Sequence, residues 1–141
     1  MDGVFRHEIR VRYGECDMQQ VVFNANYMVY CDDAVDSWFQ SRLGSRNLEF
    51  DCMLKNFHIT WFSPFRYRDH AVLECRLVRW GNTSLGIKIE GSVVEKSGAA
   101  SSANSGRKVF EATLTYVSVV PGEVKTTPVP NWVKDEIGLA A

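Results

Sequence analysis

Residues 5–13 alternate, with Phe5, Ile9, Val11 and Tyr13 on one side of the chain and Arg6, Glu8, Arg10 and Arg12 on the other. A period of two predicts a strand with one buried face. From residue 24 the period lengthens. Tyr27, Cys31, Ala34 or Val35, Trp38 and Leu43 recur at helical spacing, while Asp32, Asp33, Asp36 and Gln40 fall mostly off that stripe. The pattern predicts a helix over 24–43, with Asn24 and Asn26 as candidate N-caps and Gly44 where a left-handed C-cap belongs. Its aromatic residues Tyr27, Trp38 and Phe39 belong first to a core, as such stripes usually do.

The remainder reads as strands separated by turn signals. Phe57, Ile59 and Trp61 alternate ahead of Ser63-Pro64, and Leu73, Cys75 and Leu77 ahead of Gly81-Asn82. Leu85, Ile87 and Ile89 alternate up to Gly91, and Val109 to Val120 forms a long last strand. Small residues over 97–106 predict a flexible hairpin loop. Pro121, Pro128 and Pro130 end the sheet before a short helix near Asn131–Ile137. One strand, one long helix and then four strands with hairpin-length links predict an α+β domain, an antiparallel sheet with a helix on one face.

Composition narrows the partners. The 141 residues make one domain, 1–141, and 45% hydrophobic with 23% charged residues fits a globular chain. A net charge of −1 gives no basic field, which excludes nucleic acid as the expected partner. No apolar run nears the ~20 residues of a membrane span, and the first residues lack the apolar stretch of a secretory signal. The four cysteines, Cys16, Cys31, Cys52 and Cys75, show no CxxC spacing and no zinc-type histidine partner. Reduced thiols in a cytoplasmic protein, with no metal site, are therefore expected.

The chemistry concentrates in Tyr13-Gly-Glu-Cys-Asp17-Met-Gln-Gln-Val-Val-Phe-Asn24-Ala-Asn26-Tyr27. A strand ends, a short loop carries an acid, and a helix begins. The acid supplies a base or nucleophile, and the helix start supplies N–H donors for a developing oxyanion. Acyl transfer is the chemistry this layout suits. Elsewhere the signals are weaker. His58 and His70 have no Ser or Cys motif beside them, and Cys16 reads as a packing residue. Asp32 and Asp33 read as solvated, and Lys88, Arg107 and Lys108 as ordinary surface cations with the charge to meet an anion.

With these residues in view, the chain resembles the 4-hydroxybenzoyl-CoA thioesterase-like branch of the hotdog-fold superfamily from roughly Phe5 to Val133. The likeness rests on Arg10-x-Arg12-Tyr13-x-Glu15-x-Asp17, Val21-Val22-Phe23-Asn24-x-Asn26-Tyr27 and Asp32-Asp33. Phe62-Ser63-Pro64-x-Arg66-Tyr67-x-Asp69, Arg79-x-Gly81-x-x-Ser84-Leu85 and Pro128-x-Pro130 support it. The resemblance implies a five-stranded antiparallel sheet wrapped around the long helix, in a homodimer or homotetramer. It further implies hydrolysis of an acyl-CoA to free acid and coenzyme A, with no cofactor beyond the CoA of the substrate. Asp17 takes the position of the family's catalytic acid, and the Asn24 N–H that of the group polarising the thioester carbonyl. Gln20, Val22, Phe23, Tyr27 and Ser84 are the candidate substrate contacts.

Several positions depart from the pattern. Many relatives have glycine at Gln20, histidine or tyrosine at Asn24, and arginine at Val35. Some carry basic residues in the Gly81–Ser84 turn to meet CoA phosphates, and this turn has none, although its N–H groups and Ser84 suit a phosphate. Hydrolysis of an acyl-carrier-protein thioester is the enzymatic alternative, and a non-catalytic acyl-CoA binding module is the other. A hotdog dehydratase would pair the acid with a histidine, and none stands in the motif.

Overall fold

The computed structural model describes residues 3–94 and 106–138. Five strands form one antiparallel sheet: β1 (Phe5–Arg10), β2 (Asp51–Trp61), β3 (His70–Trp80), β4 (Ser84–Val93) and β5 (Arg107–Val119), in the order β1-β3-β4-β5-β2. The helix α1 (Asn24–Leu43) lies on one face, and α2 (Asn131–Ile137) closes one end. The expected loop at 97–106 lies, apart from Gly106, outside the described residues.

The helix runs over the predicted span because its apolar residues return every three or four positions. Tyr27, Tyr30, Cys31, Ala34, Val35, Trp38, Phe39 and Leu43 are all buried. They meet the inward residues of the sheet, among them Leu73, Cys75, Leu85, Ile87, Ile89, Ala112 and Leu114. Gly44 ends the helix with φ +57 and donates its N–H to the Gln40 carbonyl, as its position predicted.

Three expectations need correction. Tyr13 does not continue the buried face of β1; it is 82% exposed. The Arg12 N–H is captured by the Glu15 carboxylate at 2.9 Å, so the chain leaves the sheet and turns through a 3-10 segment at Tyr13–Glu15. Neither asparagine caps α1 through its side chain: the cap residue is Phe23, Asn24 is the first helical residue, and the Asn26 amide donates to the Glu15 carbonyl. The strand β2 begins at Asp51, well before Phe57, because a bulge between Leu54 and Asn56 shifts the alternation by one residue. Similar irregularities interrupt β3 after Leu77 and the β4–β5 pairing after Gly91.

One aromatic cluster ties the helix start to the β2–β3 connection. Tyr27 stacks on Phe65 at 5.8 Å and meets Phe110 edge-on at 5.6 Å and Trp61 edge-on at 5.5 Å. The partly buried Arg107 braces that connection from β5. Its guanidinium donates to the Ser63 hydroxyl, the Pro64 carbonyl and the Asp69 carboxylate, at 2.7, 3.0 and 3.2 Å.

Candidate active site

The loop between β1 and α1 is a small closed ring. Cys16 and Val22 face each other as an antiparallel bridge, and the Asp17 N–H donates to the Val21 carbonyl at 2.9 Å. Inside it, the Gln20 N–H donates to the Asp17 carbonyl at 2.9 Å, closing a tight turn. The Gln19 N–H donates to Asp17 Oδ1 at 2.8 Å, an aspartate turn that fixes the side chain. Gln20 completes the turn in the left-handed region, at φ +64. That backbone shape is what glycine would supply, and here it is kept by glutamine.

Residues 65–67 back this ring. The Val22 N–H donates to the Phe65 carbonyl at 2.9 Å, and the Tyr67 N–H to the Gln20 carbonyl at 3.2 Å. Asp17 is left exposed on the rim. Its Oδ2 takes part in no hydrogen bond among the described residues, so its lone pairs are open to a proton or an electrophile. At the other end of the loop, Asn24 opens α1. A helix leaves its first N–H groups without intrahelical acceptors, and the Asn24 N–H meets no other backbone acceptor among the described residues. The positive end of the helix dipole faces outward at the same point.

Asp17 and Asn24 line two different hollows among the described residues. Asp17 and Gln20 line a hollow of about 680 Å³ with Tyr13, Cys16, Met18 and Tyr67. Asn24, Val22 and Tyr27 line another of about 380 Å³ with Trp61, Phe62 and Ser63. Phe23 stands 52% exposed and lines neither. Ser84 is remote. Arg10 pairs with His70 at one end of β3, and Ser84 follows Trp80 at the other, about 33 Å along the strand.

The turn before Ser84 is held by its neighbours. Gly81 N–H donates to the Ser84 carbonyl at 2.7 Å, and the carbonyls of Asn82 and Thr83 accept from Val129 and Ser118. Its own residues carry no cation, but Arg79 reaches in from β3 and donates to Ser84 Oγ at 3.1 Å. Of the other cations considered from sequence, Arg107 is engaged in the brace and Lys108 with Glu90 and Glu111, whereas Lys88 forms no ion pair among the described residues.

Asp32 and Asp33 are not merely solvated. The buried Tyr116 donates to Asp32 at 2.6 Å, and Asp33 pairs with His7 at 2.9 Å. Val35 and Asp32 line a further cavity of about 480 Å³ beside the start of β2. His70 pairs with Glu8 and faces none of these hollows. Burial first, then the carboxylates of Glu15, Asp17 and Asp69, push the Cys16 thiol up, so it stays protonated beside Asp17. Among the described residues no three His, Cys, Asp or Glu side chains form a metal-sized cluster, and no helix is long and apolar enough to cross a membrane.

Sequence reasoning missed the part played by Glu15. Its carboxylate accepts from the Arg12 guanidinium at 2.6 Å and from the Tyr30 hydroxyl at 2.8 Å. Burial alone would push this carboxyl up, but the bonds from Arg12 and Tyr30 favour the charged form and hold it below the usual range. The spacing of Glu15 to Tyr30 offered little signal, since fifteen residues separate them.

Residues 11–137 match the family model described as the thioesterase-like superfamily. No curated protein sequence matches significantly. Among solved structures, a 1,4-dihydroxy-2-naphthoyl-CoA thioesterase from Synechocystis aligns over 91% of this chain and 90% of its own, with TM-score 0.73 and 22% identity. A 4-hydroxybenzoyl-CoA thioesterase mutant complexed with 4-hydroxybenzoyl-CoA aligns over 96% and 99%, with TM-score 0.78 and 15% identity. A hypothetical protein from Staphylococcus aureus, solved in complex with CoA, aligns over 95% and 81%, with TM-score 0.77 and 16% identity. At such identities the likeness is one of fold.

Proposed function

The chain belongs to the thioesterase-like superfamily, and from that premise we propose that it hydrolyses an acyl-CoA thioester to a free acid and coenzyme A. The observation that carries the reading is the 17–24 loop. It presents a carboxylate with one unengaged oxygen and, a few residues on, a helix N-terminus with an open N–H. Thiolates leave readily, so a carboxylate suffices as base or nucleophile. Asp17 either draws a proton from the attacking water or attacks the carbonyl itself to give an anhydride that water then opens. On either route the C–S electron pair leaves on sulfur, and the Asn24 N–H takes up charge building on the carbonyl oxygen. CoA as the thiol is in keeping with the complexes of two similar structures.

Asp17 and Asn24 line separate hollows in one chain, so the reading includes a homodimer or homotetramer in which a second copy completes the substrate channel. Gln20, Val22 and Tyr27 then border the thioester, with Phe23 exposed between them for contact with substrate or partner. Ser84, distant within its own chain, belongs to the reading only as a contact made across such an interface.

The test is thiol release from a panel of aromatic, short and long acyl-CoAs, with acyl-carrier-protein thioesters run alongside. Asp17→Asn is expected to lower kcat about 100- to 10,000-fold. Absence of turnover on every thioester, or full activity in Asp17→Asn, overturns the assignment, and preference for the carrier protein reassigns the substrate.

A further inference from the structure

Glu15 accepts six hydrogen bonds. Its carboxylate takes the Arg12 N–H at 2.9 Å, Arg12 Nε at 2.9 Å, Arg12 Nη2 at 2.6 Å and the Tyr30 hydroxyl at 2.8 Å. Its carbonyl takes the Phe23 N–H at 3.0 Å and the Asn26 Nδ2 at 2.9 Å. The donors fall into two sets. Arg12 belongs to the turn that leads into the Asp17 loop, whereas Phe23, Asn26 and Tyr30 belong to the start of α1. Among the described residues, every hydrogen bond crossing directly from residues 11–17 to residues 23–43 ends on Glu15.

That placement matters because Glu15 lies two residues before Asp17, while Phe23 immediately precedes Asn24. The carboxylate and the open N–H stand at opposite ends of a loop, and a loop alone does not hold its ends to the tolerance that catalysis needs. Tyr30 is well suited to anchor the tie. It is buried on α1, and burial first, then the bond to Glu15, push its hydroxyl far above the ordinary range, so it remains a donor.

Resting on the acyl-CoA hydrolase reading, we infer that Glu15 is a positioning residue, fixing the first turn of α1 against the loop that carries Asp17. It touches no reacting atom. It acts by setting where the Asn24 N–H stands relative to the Asp17 carboxylate.

Three variants test this: Glu15→Gln, Tyr30→Phe and the two combined, each measured by steady-state hydrolysis and by amide hydrogen exchange. Glu15→Gln is expected to lower kcat about 10- to 100-fold with KM within about twofold, the scale of a small misplacement of reacting groups. Tyr30→Phe should move kcat in the same direction, and the double variant should fall short of the product of the two losses, since both break one tie. Exchange should quicken at Phe23 and Asn26 while the amides of β3, β4 and β5 keep their protection. Unchanged kcat together with unchanged exchange at Phe23 overturns the inference. Exchange that rises evenly through β3–β5 also overturns it, because that marks a merely structural role. Should no thioester turn over in the parent protein, the hydrolase reading falls by itself, and the exchange pattern still decides whether Glu15 holds the helix start.

Discussion

The backbone N–H of Phe65 donates to the hydroxyl of Tyr27 at 3.0 Å, inside the core. This bond joins the helix start to the segment that backs the Asp17 loop. Tyr27→Phe keeps the ring and its stacking but strands a buried donor. The expected cost is about 1–3 kcal/mol, read as a lower urea midpoint with an unchanged slope. A change below about 0.5 kcal/mol would mean that Phe65 finds another acceptor.

Gln20 bears a left-handed backbone, at φ +64, which costs a residue with a Cβ roughly 1–2 kcal/mol. Gln20→Gly should therefore raise thermal stability, by up to about 1 kcal/mol once the extra freedom of glycine in the unfolded chain is counted. Gln20→Val should lower it. A melting temperature that falls in the glycine variant refutes the argument.

Gly91 on β4 lies under the ring of Phe110, where an added Cβ would come within 2.2 Å of Phe110 Cε1. The ring is buried and cannot swing away freely. Gly91→Ala is expected to destabilise by about 1–3 kcal/mol through overpacking, and Gly91→Ala combined with Phe110→Leu to recover part of that loss. Denaturant titration of the three proteins checks it.

Glu15 is held below its ordinary value near 4.5 because the bonds from Arg12 and Tyr30 outweigh burial. A folded-state value lower than the unfolded one gives stability that is present above about pH 4.5 and lost as pH falls through the folded value. The stability gap between the parent and Glu15→Gln should therefore be widest near pH 7 and narrow toward about pH 3. Chemical denaturation across that range measures it, and a gap constant with pH would exclude the ionised carboxylate as its source.

Cys31 and Cys75 are fully buried, and burial pushes the Cys75 thiol up to about 12 and Cys31 likewise upward. Both should resist alkylation in the folded protein and react only as it unfolds. Cys16, half-buried beside Asp17, should label first. Peptide mass mapping after timed alkylation reads the order.

The architecture was legible where one local periodicity governed it. The α1 span and the inward residues of β3 and β4 follow from the 3.6 and 2.0 repeats, since a helix or a pleat imposes its period on every residue it contains, while Gly44 and the prolines up to Pro130 marked where α1 stops and α2 starts. The pattern failed where one residue broke it: at the β2 bulge after Leu54, and at Tyr13, turned outward once Glu15 captures the Arg12 N–H.

By itself the sequence determined the fold class and marked the 13–27 segment as the place for chemistry, because acid, loop and helix start are consecutive and need no knowledge of distant contacts. Tertiary structure alone decided what surrounds them. It put Ser84 on β4 beside the far end of β3, separated Asp17 and Asn24 into two hollows, and brought Tyr30 onto Glu15. Those relations join residues from different elements, and their geometry is set by how the helix and sheet pack rather than by any repeat along the chain.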